Sequence, residues 1–352
     1  MKSKIIGIGN YIPSLNINNT YFDEHVFMDN SGVILKDDNR RIQHKLEKIT
    51  GISDRKYATA NQVTSDLGYI AAVRAIEDAK IDPETLDYII FAHNFGDVPF
   101  GTTQMDSVPS LAARVKHQLK IKNNFCVAYD VLFGCPGWIE GFIQANTFIK
   151  AGIAKRCLII GAETLSRVVD DHDRDTMIYA DGAGAVVIDL SDDDTGVVSH
   201  LSASFTLIEK DYLFFGTSNN ENTGSDDRFI KMNGRKIYEF ALLHVPSAMK
   251  ACFDKSGFEI NQLKKIIIHQ ANEKMDEEIV KRFFELYHMT VPENIMPMVI
   301  AKLGNSSVAT VPSLLAMILN GELDQHQIEK GDVVLFASVG AGMNINAITY
   351  LF

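Results

Sequence analysis

Cys135 lies in the run YDVLFGCPGWIEGF, between an apolar strand pattern and a helical one. A thiol there sits at the positive end of the helix macrodipole, which favours the nucleophilic thiolate. Pro136 suits the first helical turn, where its missing N–H costs nothing. Gly134 and Gly137 permit a sharp strand-to-helix turn and close approach of a substrate. This is a nucleophile elbow with sulfur in place of oxygen, and the chemistry it predicts is covalent catalysis. Cys126, Cys157 and Cys252 fall inside apolar patterns and read as buried structural thiols.

Two polar residues further along could serve such a nucleophile. His269 ends the apolar run KKIIIH and precedes Gln270, Ala271 and Asn272, a strand-end position that faces clefts. A lone histidine is more often a packing residue, so position alone does not decide its role. Asn305, in AKLGNSSVATVPSLL, follows Gly304 and precedes small hydroxyl residues; in isolation it reads as a cap or turn. The run ASVGAGMNINA, residues 337–347, places glycines between two strands. An N–H there could donate to an oxyanion; a plain hairpin is the alternative reading. The early GIGNYI lacks the third glycine of a dinucleotide fingerprint and meets Pro13.

The elements that must hold these residues are visible as short apolar runs. KIIGIG, NFCVAYDV, CLIIGAE, GAVVIDL and VVLFASV predict strands. WIEGFIQANTFIKAG, residues 138–152, predicts a helix ending at Gly152, and SLLAMILNGEL after Pro312 another. Alternating strands and helices mean an α/β protein with largely buried sheets. Residues 73–93 and 249–269 repeat one pattern: Arg74–Ala75 against Lys250–Ala251, Asp78 against Asp254, Leu86 against Leu263, then IIFA against IIIH. The repeat predicts a duplicated α/β unit, with halves 1–190 and 191–352 packed as one body. The polar stretch 216–228 reads as a mobile surface loop.

The 352 residues include 45 acidic and 34 basic side chains, a net charge of −11, with 46% hydrophobic and 22% charged residues. That suffices for a large core. The acidic balance argues against nucleic-acid or membrane-surface binding, which needs a basic field. No apolar run approaches the roughly 18 residues of a membrane span, and the start is not a signal peptide. Four cysteines show neither a disulfide framework nor zinc spacing. The expected setting is a reducing cytoplasm.

KIIGIGNYIP, TGISDRK, the Cys135 elbow, GAETLSR, ADGAGAVV, HQAN at 269–272, LGNSS and the final GAG turn occur in one order. Together they resemble the thiolase-fold condensing enzymes, specifically β-ketoacyl-acyl-carrier-protein synthase III, over nearly the whole chain. The resemblance implies a five-layered α-β-α-β-α sandwich with the active site between duplicated halves. It implies that Cys135 is acylated by a thioester, with the oxyanion held by the backbone N–H groups of Cys135 and Ala341. Ala341 stands where the family usually has glycine, and a backbone donor survives that change. His269 and Asn305 then stabilise the enolate left when a malonyl-type thioester loses carbon dioxide, and that carbanion attacks the acyl-cysteine. No metal or redox cofactor is implied. Coenzyme A or a phosphopantetheine arm arrives as substrate, the partners being acyl-coenzyme A or acyl carrier protein, and the chain pairs as a homodimer through a continuous sheet. Lys274, Lys281 and Arg282 fall where the family docks its carrier.

The departures bear on specificity. The family's adenine-stacking Trp and a nearby Arg fall on Lys45 and Ile49, and the one Trp, Trp138, adjoins the nucleophile. Residues 94–108 are longer than the segment that usually shapes the acyl pocket. These features suggest a specialised paralogue with a carrier-protein donor, including one that joins two acyl chains. Transfer to an alcohol or amine is a further reading, which Asn305 disfavours. With Cys252 the last cysteine, the Gly turn lacks the second thiol of a degradative thiolase. The intact Cys, His and Asn set argues against a non-catalytic scaffold.

Overall fold

The computed structural model describes residues 2–223 and 226–352. Its first sheet has five strands in the spatial order β1 (Ser3–Tyr11), β7 (Asp181–Leu190), β6 (Arg156–Thr164), β4 (Tyr88–His93) and β5 (Val127–Leu132). The second has four, in the order β8 (Gly196–Ser204), β13 (Asn344–Leu351), β12 (Val333–Gly340) and β11 (Leu263–Ile268). In both sheets the second strand runs antiparallel to its two neighbours, and the third and fourth run parallel. Position for position, β8 stands for β1, β13 for β7, β12 for β6 and β11 for β4; β5 has no counterpart.

The helices repeat with the strands. α2 (Thr64–Ala79) precedes β4 as α5 (Gly234–Asp254) precedes β11, so the two repeated sequence segments occupy equivalent places. α4 (Gly137–Lys150) and α8 (Thr310–Leu319) lie between the sheets and touch both. α2 and α3 (Leu111–Gln118) cover the outside of the first sheet, and α5 and α6 (Glu273–Glu285) the outside of the second. The result is the expected α-β-α-β-α sandwich. Its layering follows from burial pattern. α8 is apolar all round because both faces meet a sheet. α6 buries the stripe Met275, Ile279, Val280, Phe283 and Phe284 together with Asp276 and leaves a charged face outward. β6 is a continuous buried run because helices cover both of its faces. The two glycines of GIG serve packing rather than a nucleotide: a Cβ at Gly7 would lie 2.3 Å from the Ala75 carbonyl oxygen, and one at Gly9 2.4 Å from that of Ala71, both on α2.

α1 (Asn39–Thr50), the short α7 (Ile300–Leu303) and two ribbons complete the chain. The ribbons are β2 (Leu15–Asn18) with β3 (Asp54–Tyr57), and β9 (Leu213–Thr217) with β10 (Arg228–Met232). The surface loop expected at 216–228 is the connection of this second ribbon: Glu221, Asn222, Thr223, Asp226 and Asp227 are exposed, and residues 224 and 225 lie outside the described residues. Thr217 pairs with Arg228, and Asn219 is buried. The Asn219 N–H donates to Asp170 at 2.7 Å. The buried Lys231 ammonium donates to Asp170 at 2.5 Å, Asp173 at 3.0 Å and the Asn219 side-chain oxygen at 2.8 Å. Ser218 and Asn219 turn inward to Asp170, whereas the tip of the connection stays at the surface. Among the described residues, no helix is long and apolar enough to cross a membrane.

Candidate active site

The nucleophile elbow forms where β5 gives way to α4. Gly134 turns the chain with φ +68°, a conformation that favours glycine. Opposite it, β12 ends at Gly340. A Cβ at Gly134 would lie 2.7 Å from the Ala341 nitrogen, and one at Gly340 would lie 2.5 Å from the Cys135 nitrogen. The two turns therefore meet backbone to backbone. Cys135 precedes α4 and Ala341 opens a single 3-10 turn, so neither N–H has an acceptor within its own helix. Two uncommitted amides beside a thiol are the elements of an oxyanion hole.

His269 follows β11, its backbone N–H completing the ladder to the Ala337 carbonyl at 2.9 Å. Its side chain is buried, and Nδ1 has no partner among the described residues. Burial lowers its pKa to about 4, so the imidazole is neutral at ordinary pH. The rest of HQAN holds the frame. The Gln270 amide donates to the Pro297 carbonyl at 2.7 Å and accepts from Val299 N–H at 3.0 Å, while Asn272 caps α6 by accepting from Met275 N–H at 3.0 Å.

Asn305 is stitched to residues 178–180: its N–H donates to Ile178 at 3.0 Å, and its carbonyl accepts from Ala180 at 2.8 Å. Its side-chain oxygen accepts from Ser307 N–H at 2.8 Å. The amide NH2 is then the group left to donate. Cys135, His269, Asn305 and Ala341, far apart in sequence, line one cavity of about 270 Å³ with apolar neighbours such as Leu165, Phe215 and Met343. An outer recess of about 870 Å³ shares Met232, Ile237, Ala271, Met275 and Asn305 with it. Ile49 lines this recess with Asp173, Arg174, Asp175 and Arg235, and Lys45 donates outside it to Asp37.

Burial pushes the Cys135 thiol up to about 11. Burial thus opposes the thiolate that the helix terminus favours. The Ser307 hydroxyl opposes that rise by donating to the sulfur at 3.4 Å. Ser307 Oγ accepts in turn from the Asn94 amide at 2.9 Å, and Asn94 donates through both its amide and its N–H to Glu163, at 2.5 and 2.9 Å. Burial raises Glu163 to about 7. Sequence reasoning noticed the hydroxyl residues after Asn305 and the GAETLSR motif, but not that they meet behind the nucleophile.

Other expectations come out differently. Of residues 94–108, only Asn94 and Phe95 line the cavity; Asp97 and Asp106 pair and close the remainder into a separate loop. Trp138 is fully buried against Phe142 and Phe336 and lies outside the cavity lining. On α6, Lys281 pairs with Glu278 and Glu285, and Arg282 with Glu278, while Lys274 is exposed next to the recess residues Asn272 and Met275.

Comparison with known proteins bears on the same architecture. Residues 129–204 match the family model for 3-oxoacyl-[acyl-carrier-protein] synthase III, and residues 253–352 match its C-terminal counterpart. A β-ketoacyl-[acyl-carrier-protein] synthase III of Staphylococcus haemolyticus is 31% identical over 99% of this chain and 98% of its own. One of Laribacter hongkongensis is also 31% identical, over 97% of this chain and 96% of its own. The crystal structure of 3-oxoacyl-[acyl-carrier-protein] synthase III from Aquifex aeolicus superposes with a TM-score of 0.80 at 29% identity, covering 99% of this chain and all of that one.

Proposed function

The chain belongs to the 3-oxoacyl-[acyl-carrier-protein] synthase III family of thiolase-fold condensing enzymes, and from that premise we propose which residues carry its chemistry. It is a ketosynthase III-type acyltransferase of fatty-acid or related biosynthesis, acting on acyl-carrier-protein or acyl-coenzyme A substrates. In the first half-reaction the Cys135 sulfur attacks the donor's thioester carbonyl. The oxyanion rests on the N–H groups of Cys135 and Ala341, and its collapse expels the carrier thiol, which takes up the proton. In the second, a malonyl-type thioester occupies the passage. Its carboxylate leaves as carbon dioxide, and the electron pair becomes an enolate whose oxygen is held by neutral His269 and the Asn305 amide. The enolate carbon attacks the acyl-Cys135 carbonyl, and the sulfur departs, leaving a β-ketoacyl thioester. Neither half-reaction requires a metal or redox cofactor.

The observation that supports this reading is the convergence of Cys135, His269, Asn305 and Ala341 on one cavity. Ile49 and the paired Lys45 at the family's adenine site, in place of its Trp and Arg, favour a carrier-protein donor over free coenzyme A. Of the expected docking residues, Lys274 carries that role best, since Lys281 and Arg282 are neutralised within α6. We place the division of the chain at 190/191, between β7 and β8. The edge strand β5 exposes Val127 and Leu132, with Phe125 just before it, and an open apolar edge supports a homodimer that pairs β5 with its copy. The setting is cytoplasmic, with neither nucleic acid nor membrane as partner.

The test is intact-mass measurement after incubation with a ladder of acyl-carrier-protein and acyl-coenzyme A donors. An acyl adduct on wild type that is absent from Cys135→Ala supports the assignment, and the fastest donor identifies the carrier. An adduct that persists in the variant means another residue is the nucleophile.

A further inference from the structure

Tyr179 lines the cavity, yet the mechanism above gives it no task. It is 4% exposed, and its hydroxyl has no hydrogen-bond partner among the described residues. The ring packs with Leu165 and Ile230 and against Phe95 and Phe215, all four of which line the same cavity and none of which lines the outer recess. Its backbone pairs with Asn305 in an isolated parallel bridge. Bridged residues project to the same side, so the phenol stands beside the Asn305 amide, at the junction of acyl wall and thioester passage. Burial keeps the phenol protonated and therefore a donor.

The other polar groups here have their work. Asn94 and Ser307 are engaged behind the sulfur. The Asn305 oxygen is engaged with Ser307 N–H, leaving its NH2 and His269 for the enolate. Among the described residues lining the cavity, Tyr179 is the side chain left with an uncommitted buried donor for whatever fills the acyl pocket. A phenylalanine would cover the same apolar wall without burying an unsatisfied hydroxyl, which is destabilising. A plain alkyl chain would leave that hydroxyl unpaired; an oxygen on the acyl group would satisfy it.

We propose that Tyr179 selects acyl groups bearing an oxygen substituent near the thioester end, hydroxy- or oxo-acyl donors whose oxygen accepts the phenol's hydrogen bond. The inference rests on Cys135 as the acyl acceptor. A site built around a buried donor discriminates strongly against the analogue that lacks the acceptor.

The experiment compares butanoyl-, 2-hydroxybutanoyl-, 3-hydroxybutanoyl- and 3-oxobutanoyl-pantetheine as donors, reading the initial rate of the Cys135 adduct by intact mass. Wild type should prefer at least one oxygenated donor over butanoyl by about tenfold or more. Tyr179→Phe, which removes a single oxygen atom, should lose that preference from both sides, with slower oxygenated and faster plain acylation. Equal rates for all donors in wild type overturn the proposal, as does a Tyr179→Phe variant that slows every donor alike. A variant that acylates as wild type but decarboxylates malonyl-pantetheine more slowly assigns the oxygen to the extender and likewise overturns it. Adducts that also form on Cys135→Ala, or on no protein with any donor, sink the assignment of Cys135 itself. That outcome is distinct from a normal adduct with no donor preference.

Discussion

The two sheets carry the same unit, yet they bring different chemistry to the cavity. Each inner helix is approached through a glycine with positive φ: Gly134, φ +68°, before α4 and Gly304, φ +69°, ahead of α8. After the first comes a sulfur, and after the second the Asn305 amide and the Ser307 hydroxyl. Duplication thus turns two like helix entries toward one space, and substitution divides the labour. On the proposed mechanism the first half holds the nucleophile of the covalent step; the second stabilises the charge that follows and lends that first step the Ala341 N–H and the hydroxyl beside the sulfur. The halves differ again at their edges, since only the first keeps the fifth strand, and that strand is the exposed one.

If this division is right, damage to each half should stop the reaction at a different stage. Cys135→Ala should abolish both acylation and condensation, a loss of about 10⁴-fold or more in turnover. His269→Ala and Asn305→Ala should lower condensation by about 10²–10³-fold while the acyl adduct still forms, as intact mass run beside product assays would reveal. Loss of the adduct in either variant would erase the division.

Ser307→Ala crosses the boundary, removing a second-half group from the first-half step. The hydroxyl favours the thiolate, so its loss should raise the thiol pKa further and shift the pH–acylation profile to the alkaline side. Below that pKa the rate should fall by about tenfold. In wild type, acylation should climb steadily from neutrality toward pH 11 because burial favours the protonated thiol there. A profile already flat at neutral pH would mean that the sulfur is ionised at rest.

The edge difference has its own test. Leu132→Lys should convert a dimer to monomer on size-exclusion chromatography, whereas a like change on the outward strands of the second sheet should not. Smallest of all, Lys274→Glu should raise the KM for carrier-protein donors by about two- to fivefold, an effect that fades with added salt.

Much of this was legible in sequence, but unevenly. Cys135 announced itself because strand, glycine, thiol and proline are consecutive, and local order is what a sequence displays. His269 and Asn305 needed the ordered motifs of the family, since each alone resembles a packing histidine or a turn. The group behind the sulfur was invisible because Asn94 meets Ser307 across 213 residues and Ser307 meets Cys135 across 172. Tyr179 carried no signal either: it sits in the apolar context DTMIYADGAG, where an aromatic reads as core. Of the polar stretch 216–228 the surface tip was legible, whereas the inward turn of Ser218 onto Asp170 depends on a partner 48 residues away.

The inner cavity and the outer recess share five residues, Asn305 among them. On the proposed mechanism, the arm that delivers the acyl group therefore occupies the passage the extender's arm must use next. Kinetically this is a ping-pong system. Initial rates plotted reciprocally against one thioester, at fixed levels of the other, should form parallel lines, and either thioester in excess should inhibit competitively against its successor. Throughput is then set by the ratio of the two carrier pools, so the active site itself responds to the balance between chain starting and chain feeding.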